Sequence, residues 1–149
     1  MAITVDHTFG WEKEKELKSQ LESHLNLPLT QTEDRYDHRD YVCPSKPVFV
    51  ELKSRKAFDK HGRPQMPIYF STWLIPVAKE SILKKGDELH IYYYWDYDKS
   101  LYHLKYSKET FQNFKKSVPA FHTQPHYWIP SSAFAKISGK TKCLIVDGE

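Results

Sequence analysis

The segment DYVCPSKPVFVELK, residues 40–53, begins with Asp40 and ends with Glu51 and Lys53, so two acids and a lysine of interest lie close together in the sequence. Because alternate residues of a strand share a face, Glu51 and Lys53 lie on one face of the predicted strand VFVELK. A hairpin that pairs Val42 with Phe49 would place Asp40 opposite Glu51. Two carboxylates and an ammonium group would then converge.

This combination of groups suits metal-assisted hydrolysis of a phosphodiester bond. Two carboxylates at cross-strand distance repel each other unless a cation lies between them. Carboxylate oxygens, a backbone carbonyl and water are the ligands that Mg²⁺ prefers. The lysine could hold the attacking water or stabilise charge on the phosphate. The same charges also fit an ion-paired strand surface, and the pattern alone leaves both interpretations open.

Hydrophobic periodicity and turn residues predict the elements that must position these groups. Leu17, Leu21 and Leu25 form one stripe of the first predicted helix. In chain order we predict a helix over residues 11–25, strands over about 36–42 and 48–54, a helix within 71–86, an aromatic hairpin over 88–106, a short helix over 108–118 and a strand at 143–146. This mixture predicts an α/β or α+β fold in which helices pack on a central sheet, and we favour the α/β class.

The length and composition of the chain predict one intracellular domain. With 149 residues, 40% of them apolar, the chain can bury one core, and we expect a single domain over residues 1–149. No apolar run approaches the roughly 18 residues of a membrane helix, and the N-terminus lacks a signal pattern, so we expect the cytoplasm or nucleus and no membrane. Cys43 and Cys143 are expected to be free thiols.

A cluster of cations begins where the predicted strand ends. The net charge of +3 is modest, but five cations lie within residues 53–63 and are opposed there only by Asp59. They are Lys53, Arg55, Lys56, Lys60 and Arg63. We expect the last four to contact a nucleic acid.

Residues 40–53 resemble the signature of the PD-(D/E)XK nuclease superfamily. Their compact spacing is similar to that of phage and archaeal Holliday-junction resolvases, and the run ELKSR is similar to small phage and viral members. The resemblance covers about residues 11–106. It implies a restriction-endonuclease-like core, with a central mixed sheet flanked by helices.

The resemblance also implies roles for individual residues. Asp40 and Glu51, with the backbone carbonyl of Leu52, would bind Mg²⁺, for which Mn²⁺ could substitute, and Lys53 would serve the attacking water. An acid of the first helix, for which we favour Glu14, would match the additional acid of the metal shell. Lys79 would match the auxiliary basic residue of the following helix.

Two departures from the family pattern affect these assignments. Arg39 stands where a proline is expected before the aspartate, and Asp37 competes with Asp40 for the role of ligand. On a continuous strand the two aspartates face opposite sides, so both cannot join Glu51. We favour Asp40 because apolar residues follow it.

The leading hypothesis is a metal-dependent endonuclease acting on DNA, with RNA left open. Cutting both strands would require a homodimer, because one monomer presents one site. The alternatives are a non-catalytic nucleic-acid-binding module with the same fold, and an interaction protein that docks a partner on its aromatic hairpin. His122 and His126 have the spacing of a zinc pair, but Pro125 opposes the helix that such a pair needs.

Overall fold

A computed structural model describes residues 17–32 and 40–138, and its strands form two sheets. The larger sheet contains, in spatial order, β1 (Thr30–Gln31), β2 (Tyr41–Val42), β3 (Val48–Arg55), β5 (Glu88–Trp95), β6 (Ser100–Lys105) and β9 (Ala135–Ser138). The smaller sheet contains β4 (Thr72–Pro76), β8 (His126–Pro130) and β7 (Lys115–Ser117). The helices are α1 (residues 17–25), α2 (Ala78–Ser81) and α3 (Lys108–Phe111), with 3-10 turns at Pro67–Tyr69 and Ser131–Ala133.

The central sheet is mixed, which confirms the predicted α/β class. Strand β3 pairs with β5 in parallel, whereas the other neighbours in the larger sheet are antiparallel. The parallel pair requires a crossover connection, which residues 56–87 provide. That connection contains both β4 and α2.

The two faces of the central sheet are covered by different layers. On one face, Leu17 and Leu21 of α1 pack against Val50 and its apolar neighbours, as the leucine stripe predicts. On the other face, Trp73 and Ile129 of the smaller sheet pack against the central strands. On the side on which Glu51 lies, the covering layer is therefore mainly a second sheet rather than helices, with Phe111 of the short helix α3 packed into the same core.

The helix predicted within residues 71–86 is mostly a strand. Trp73 and Ile75 are buried and alternate with less buried residues, which is the period of a strand. They pair with Ile129 and Tyr127 of β8. Only residues 78–81, after Pro76, form a helix.

The helix predicted over residues 108–118 is also shorter than expected. It ends at Phe111, and Lys115–Ser117 pair with β8 as an edge strand. The ammonium group of Lys115 lies 4.7 Å from the ring centroid of Trp128, so a cation–π contact helps hold this edge.

The aromatic hairpin predicted over residues 88–106 is confirmed as β5 and β6. Residues 96–99 form its turn, and Lys99 has a positive φ of 56°. Tyr92, Tyr93 and Trp95 are buried on the two faces of the sheet. These rings belong to the core, so the strands of the hairpin do not present the docking surface of the interaction-protein hypothesis.

Three histidines fill the α1 side of this hairpin. His90 Nδ1 lies 2.9 Å from His103 Nε2, and His24 Nδ1 lies 2.7 Å from the hydroxyl of Tyr92. Burial lowers the pKa of His103 to about 4, and the nearby His90 and His24 add to this shift. At neutral pH this histidine is therefore uncharged.

Several predictions fall outside the described residues. These are the start of the first helix, most of the strand predicted at 36–42, the strand at 143–146 and Cys143. Cys43 is buried and unbridged, as expected of a free thiol. Within residues 17–32 and 40–138, no helix is long and apolar enough to cross a membrane.

Candidate active site

Strand β3 separates its apolar and charged side chains as the sequence predicts. Val48, Val50 and Leu52 belong to the core on the α1 side. Glu51 and Lys53 lie on the opposite face, together with Arg55. The smaller sheet covers part of that face, so Glu51 is only 2% exposed. The carboxylate therefore lies within the protein.

The predicted register of the β2–β3 hairpin is confirmed. Val42 pairs with Phe49, and Tyr41 pairs with Val50. Asp40 follows at the end of this ladder, where its N–H donates to the carbonyl of Val50 at 3.0 Å. Its Oδ2 accepts a hydrogen bond from the N–H of Leu52 at 2.6 Å. Asp40 thus bonds to both residues that flank Glu51 in the chain.

The backbone of Leu52 faces the same edge of β3 as Asp40. The carbonyl of Pro47 accepts a hydrogen bond from the N–H of Glu88 in β5 at 2.8 Å. The carbonyl of Arg55 accepts one from the N–H of Asp96, the residue after β5, at 2.9 Å. Because a strand directs the backbone groups of alternate residues to opposite sides, Leu52 directs its N–H and carbonyl away from β5. The Leu52 carbonyl and the Asp40 carboxylate therefore share one edge.

Two ammonium groups contact the carboxylate of Glu51. Lys53 Nζ lies 3.2 Å from Glu51 Oε2, and Lys79 Nζ lies 3.1 Å from Oε1. Oε1 nevertheless lacks a partner in hydrogen-bonding geometry, so the Lys79 contact is an ion pair without a directed hydrogen bond. The side chain of Lys79 is 16% exposed and that of Lys53 is 37% exposed. These two cations compensate the charge of a buried carboxylate, which would otherwise be costly.

Helix α2 (Ala78–Ser81) is a single turn, and contacts of Glu80, the residue after Lys79, hold it in place. The adjacent Glu80 accepts a hydrogen bond from the hydroxyl of Tyr127 at 2.5 Å and another from the hydroxyl of Tyr106. So short a helix is not stable alone, which makes these anchors necessary. Burial and the Glu80 carboxylate raise the pKa of Tyr127, so its hydroxyl stays protonated and can donate. Sequence reasoning missed Glu80, although it is next to Lys79.

The phenol of Tyr93 lies on the Glu51 side of the sheet. Its hydroxyl donates to the carbonyl of Leu74 in β4. Burial raises the pKa of Tyr93, and the negative charge of Glu51 adds to this shift, against the influence of Arg55. Tyr93 therefore stays neutral. Its hydrogen bond connects β4 to the central sheet on the face that carries the charged cluster of Glu51, Lys53 and Lys79.

The remaining predicted acids and the histidine pair do not extend this cluster in the described part of the chain. Glu14 and Asp37 lie outside it. Among residues 17–32 and 40–138, no group of three or more His, Cys, Asp and Glu side chains is suited to hold a metal. His122 and His126 have ring centroids 4.6 Å apart, and His126 Nδ1 lies 2.8 Å from the carbonyl of Gln124.

The predicted cationic residues meet in one groove after the end of β3. The groove has a volume of about 490 Å³ and is lined by Arg55, Lys56, Lys60 and Arg63, with Asp59 among them. Arg63 Nε donates to Asp59 Oδ2 at 2.9 Å. Hydrogen bonds from the backbone of Arg63 and His61, and the charge of Arg63, lower the pKa of Asp59. The groove therefore keeps an excess of positive charge.

Neither the scan against protein-family models nor the search of curated proteins finds a match to the chain. The charged cluster of Glu51, Lys53 and Lys79 and the cationic groove are therefore the features of this chain from which a function can be inferred.

Proposed function

We propose that this chain is a metal-dependent endonuclease that hydrolyses phosphodiester bonds in DNA, built on a restriction-endonuclease-like core. The observation that carries the proposal is the convergence of Glu51, Lys53 and Lys79 on the same face, beside Asp40 at the neighbouring edge. Lys79 is distant from the other three in sequence, yet it meets the same carboxylate. This arrangement matches the roles implied by the resemblance to the PD-(D/E)XK superfamily.

The donor atoms of the cluster fit a hard divalent cation. Asp40, Glu51 and the carbonyl of Leu52 offer only oxygen, which Mg²⁺ and Mn²⁺ accept. Glu51 Oε1 is buried and makes no hydrogen bond, so it retains acceptor capacity. When bound, the ion would polarise the phosphate and lower the pKa of a bound water. Glu14 is the residue we propose for a further acid.

The two lysines have different roles in this proposal. Lys53 is the more exposed of the two, so its ammonium group can reach a solvent molecule or a phosphate oxygen. It would orient the attacking water and stabilise charge that develops on the phosphate. Lys79 is mostly buried, and it would hold the carboxylate of Glu51 in place.

The groove supplies the charge that a DNA backbone requires. Arg55, Lys56, Lys60 and Arg63 would bind phosphates next to the charged cluster, and this contribution to affinity falls as salt rises. Arg55 lies on the same face of β3 as Glu51, about 13 Å further along at the usual rise of a strand. A homodimer would be needed to cut both strands of a duplex.

The decisive experiment is a cleavage assay on labelled linear, single-stranded and four-way-junction DNA with Mg²⁺ or Mn²⁺. We expect cleavage that chelation abolishes and that Lys53→Ala and Glu51→Gln each reduce by at least about 100-fold, as for loss of a group acting in the transition state. Lys84→Ala, at an exposed lysine of the same crossover, should cut normally. No cleavage by the parent protein, or equal cleavage by all variants, would reject the nuclease.

The second candidate is a nucleic-acid-binding module that does not cleave. The burial of Glu51 between two ammonium groups favours it, because such a carboxylate can serve as a structural ion pair. This candidate predicts salt-dependent DNA binding by the groove that survives chelation, without cleavage under any divalent metal. The same assay therefore separates the two functions.

A further inference from the structure

An exposed aromatic ring stands at the cationic groove. Phe58 lines the groove and is 53% exposed. Its ring packs edge to face against Tyr97, with centroids 5.5 Å apart, and Tyr97 is itself 39% exposed in the turn between β5 and β6. An edge-to-face pair leaves a ring face available to a third planar group.

The loop that carries Phe58 is held by many hydrogen bonds. Asp59 Oδ1 accepts from the N–H groups of His61 and Arg63, at 2.8 and 3.0 Å. The N–H of Gln65 donates to the carbonyl of Ala57 at 2.8 Å, which closes the base of the loop. Gly62 permits the turn with a φ of 76°. Phe58 is therefore presented to solvent by an ordered loop.

We infer that the groove binds a single-stranded nucleic acid, with an unpaired base stacked on Phe58 and the flanking phosphates on the surrounding cations. This inference rests on the proposed function and specifies its substrate class. Aromatic rings beside a cationic groove are how proteins bind single strands without reading their sequence. In a duplex the bases already stack on one another, so a protruding ring gains no such contact without unstacking them.

The position of the groove connects this stacking site to the charged cluster. Lys53 and Arg55 follow Glu51 on one face of β3, about 7 and 13 Å along the strand, and Phe58 lies in the loop that begins after Arg55. A strand held at Phe58 and in the groove can continue past Arg55 to Lys53, the partly exposed cation that pairs with the buried Glu51. The substrate region next to the cleaved bond would then be unpaired.

The test measures binding of a labelled oligothymidylate by fluorescence anisotropy in EDTA, without any metal. The absence of cleavage keeps this test separate from that of the nuclease. Phe58→Ala should weaken binding of the single strand about tenfold, the loss of one stacked base. Phe58→Leu should lose nearly as much, because leucine keeps an apolar side chain but has no ring. Phe121→Ala, at a fully exposed ring between β7 and β8, should bind as the parent does.

Two further ligands distinguish stacking from simple charge attraction. An abasic strand of the same length should bind the parent and Phe58→Ala equally, because it has phosphates but no base. A matched duplex should bind the parent more weakly than the single strand and should not respond to Phe58→Ala. Three results would each overturn the inference: equal affinity of the parent and Phe58→Ala for oligothymidylate, the same loss of affinity by Phe58→Ala for the abasic strand as for oligothymidylate, or tighter binding of the duplex than of the single strand by the parent. None of them bears on the nuclease proposal, which the cleavage assay tests.

Discussion

Replacing Lys79 by methionine should destabilise the fold more than the same change at Lys53. Both ammonium groups lie at nearly the same distance from Glu51, 3.1 and 3.2 Å, so distance alone predicts equal effects. At an effective dielectric constant of about 20, either pair would gain about 5 kcal/mol before the cost of desolvation. The two lysines differ in burial, because the side chain of Lys79 is 16% exposed and that of Lys53 is 37% exposed.

From that difference in burial we expect a loss of about 2–3 kcal/mol for Lys79→Met. Removing one partner of a buried ion pair costs about 3–5 kcal/mol, and here Lys53 remains to compensate part of the charge of Glu51. Lys53→Met should lose about 1 kcal/mol or less, the usual value for a partly exposed pair. Methionine retains most of the apolar stem, so the difference reports mainly on charge.

The assay is equilibrium unfolding by urea at neutral pH in EDTA, followed by tryptophan fluorescence, to which the buried Trp73 and Trp95 contribute. Lys84→Met is the matched control at an exposed lysine and should stay within about 0.5 kcal/mol of the parent. Equal losses for Lys79→Met and Lys53→Met, or a larger loss for Lys53→Met, would refute the reasoning from burial. Lys53→Met should reduce nuclease activity strongly, although it reduces the free energy of unfolding only slightly.

Three other predictions concern pH, the anchor of α2 and the metal. The pKa of His103 is about 4 in the fold and about 6.5 when unfolded, so the unfolded chain binds more protons between these values. The contribution of His103 to the free energy of unfolding should therefore be fully present above pH 6.5 and should fall by about 1–3 kcal/mol as the pH is lowered toward 4. In urea unfolding, the free energy of unfolding of His103→Gln should decline less steeply over the same pH range. Tyr127→Phe removes a partly buried hydrogen bond to the Glu80 carboxylate and should lower the free energy of unfolding by about 1.5–3 kcal/mol in the same assay. A loss below about 0.5 kcal/mol would show that this bond is not an anchor. Mg²⁺ should raise the melting temperature of the parent but not of Glu51→Gln, and equal shifts in the two proteins would place the ion elsewhere.

The parts of the fold that short-range patterns determine were predictable. The alternation along β3 places the apolar side chains of Val48, Val50 and Leu52 on one face, and burial of that face then forces Glu51 to the other. The short turn at residues 44–47 sets the pairing of Val42 with Phe49. Local information was sufficient because both strands of this hairpin are close in sequence.

The errors arose where the partner of a segment is far along the chain. The segment TWLIP becomes a strand because β8 offers it a ladder more than fifty residues later, which no local pattern reveals. Glu80 matters because Tyr127 and Tyr106 reach it from other elements. The pair of Phe58 and Tyr97 likewise joins two separate turns. Tertiary contacts overrode local propensity at each of these places.

The parallel pairing of β3 with β5 also sets the order in which the charged groups can meet during folding. The β2–β3 hairpin is local, and such hairpins close within about 1–10 μs, so Asp40 and Glu51 can approach each other early. Lys79 lies in the crossover of residues 56–87, and its contact with Glu51 joins residues far apart in sequence. Because such non-local contacts form slowly, we expect this contact to form after the hairpin. Before that contact forms, Lys53 of the same strand can already balance part of the charge of Glu51. We therefore expect the set of charges around Glu51 to be completed at a late, long-range stage of folding.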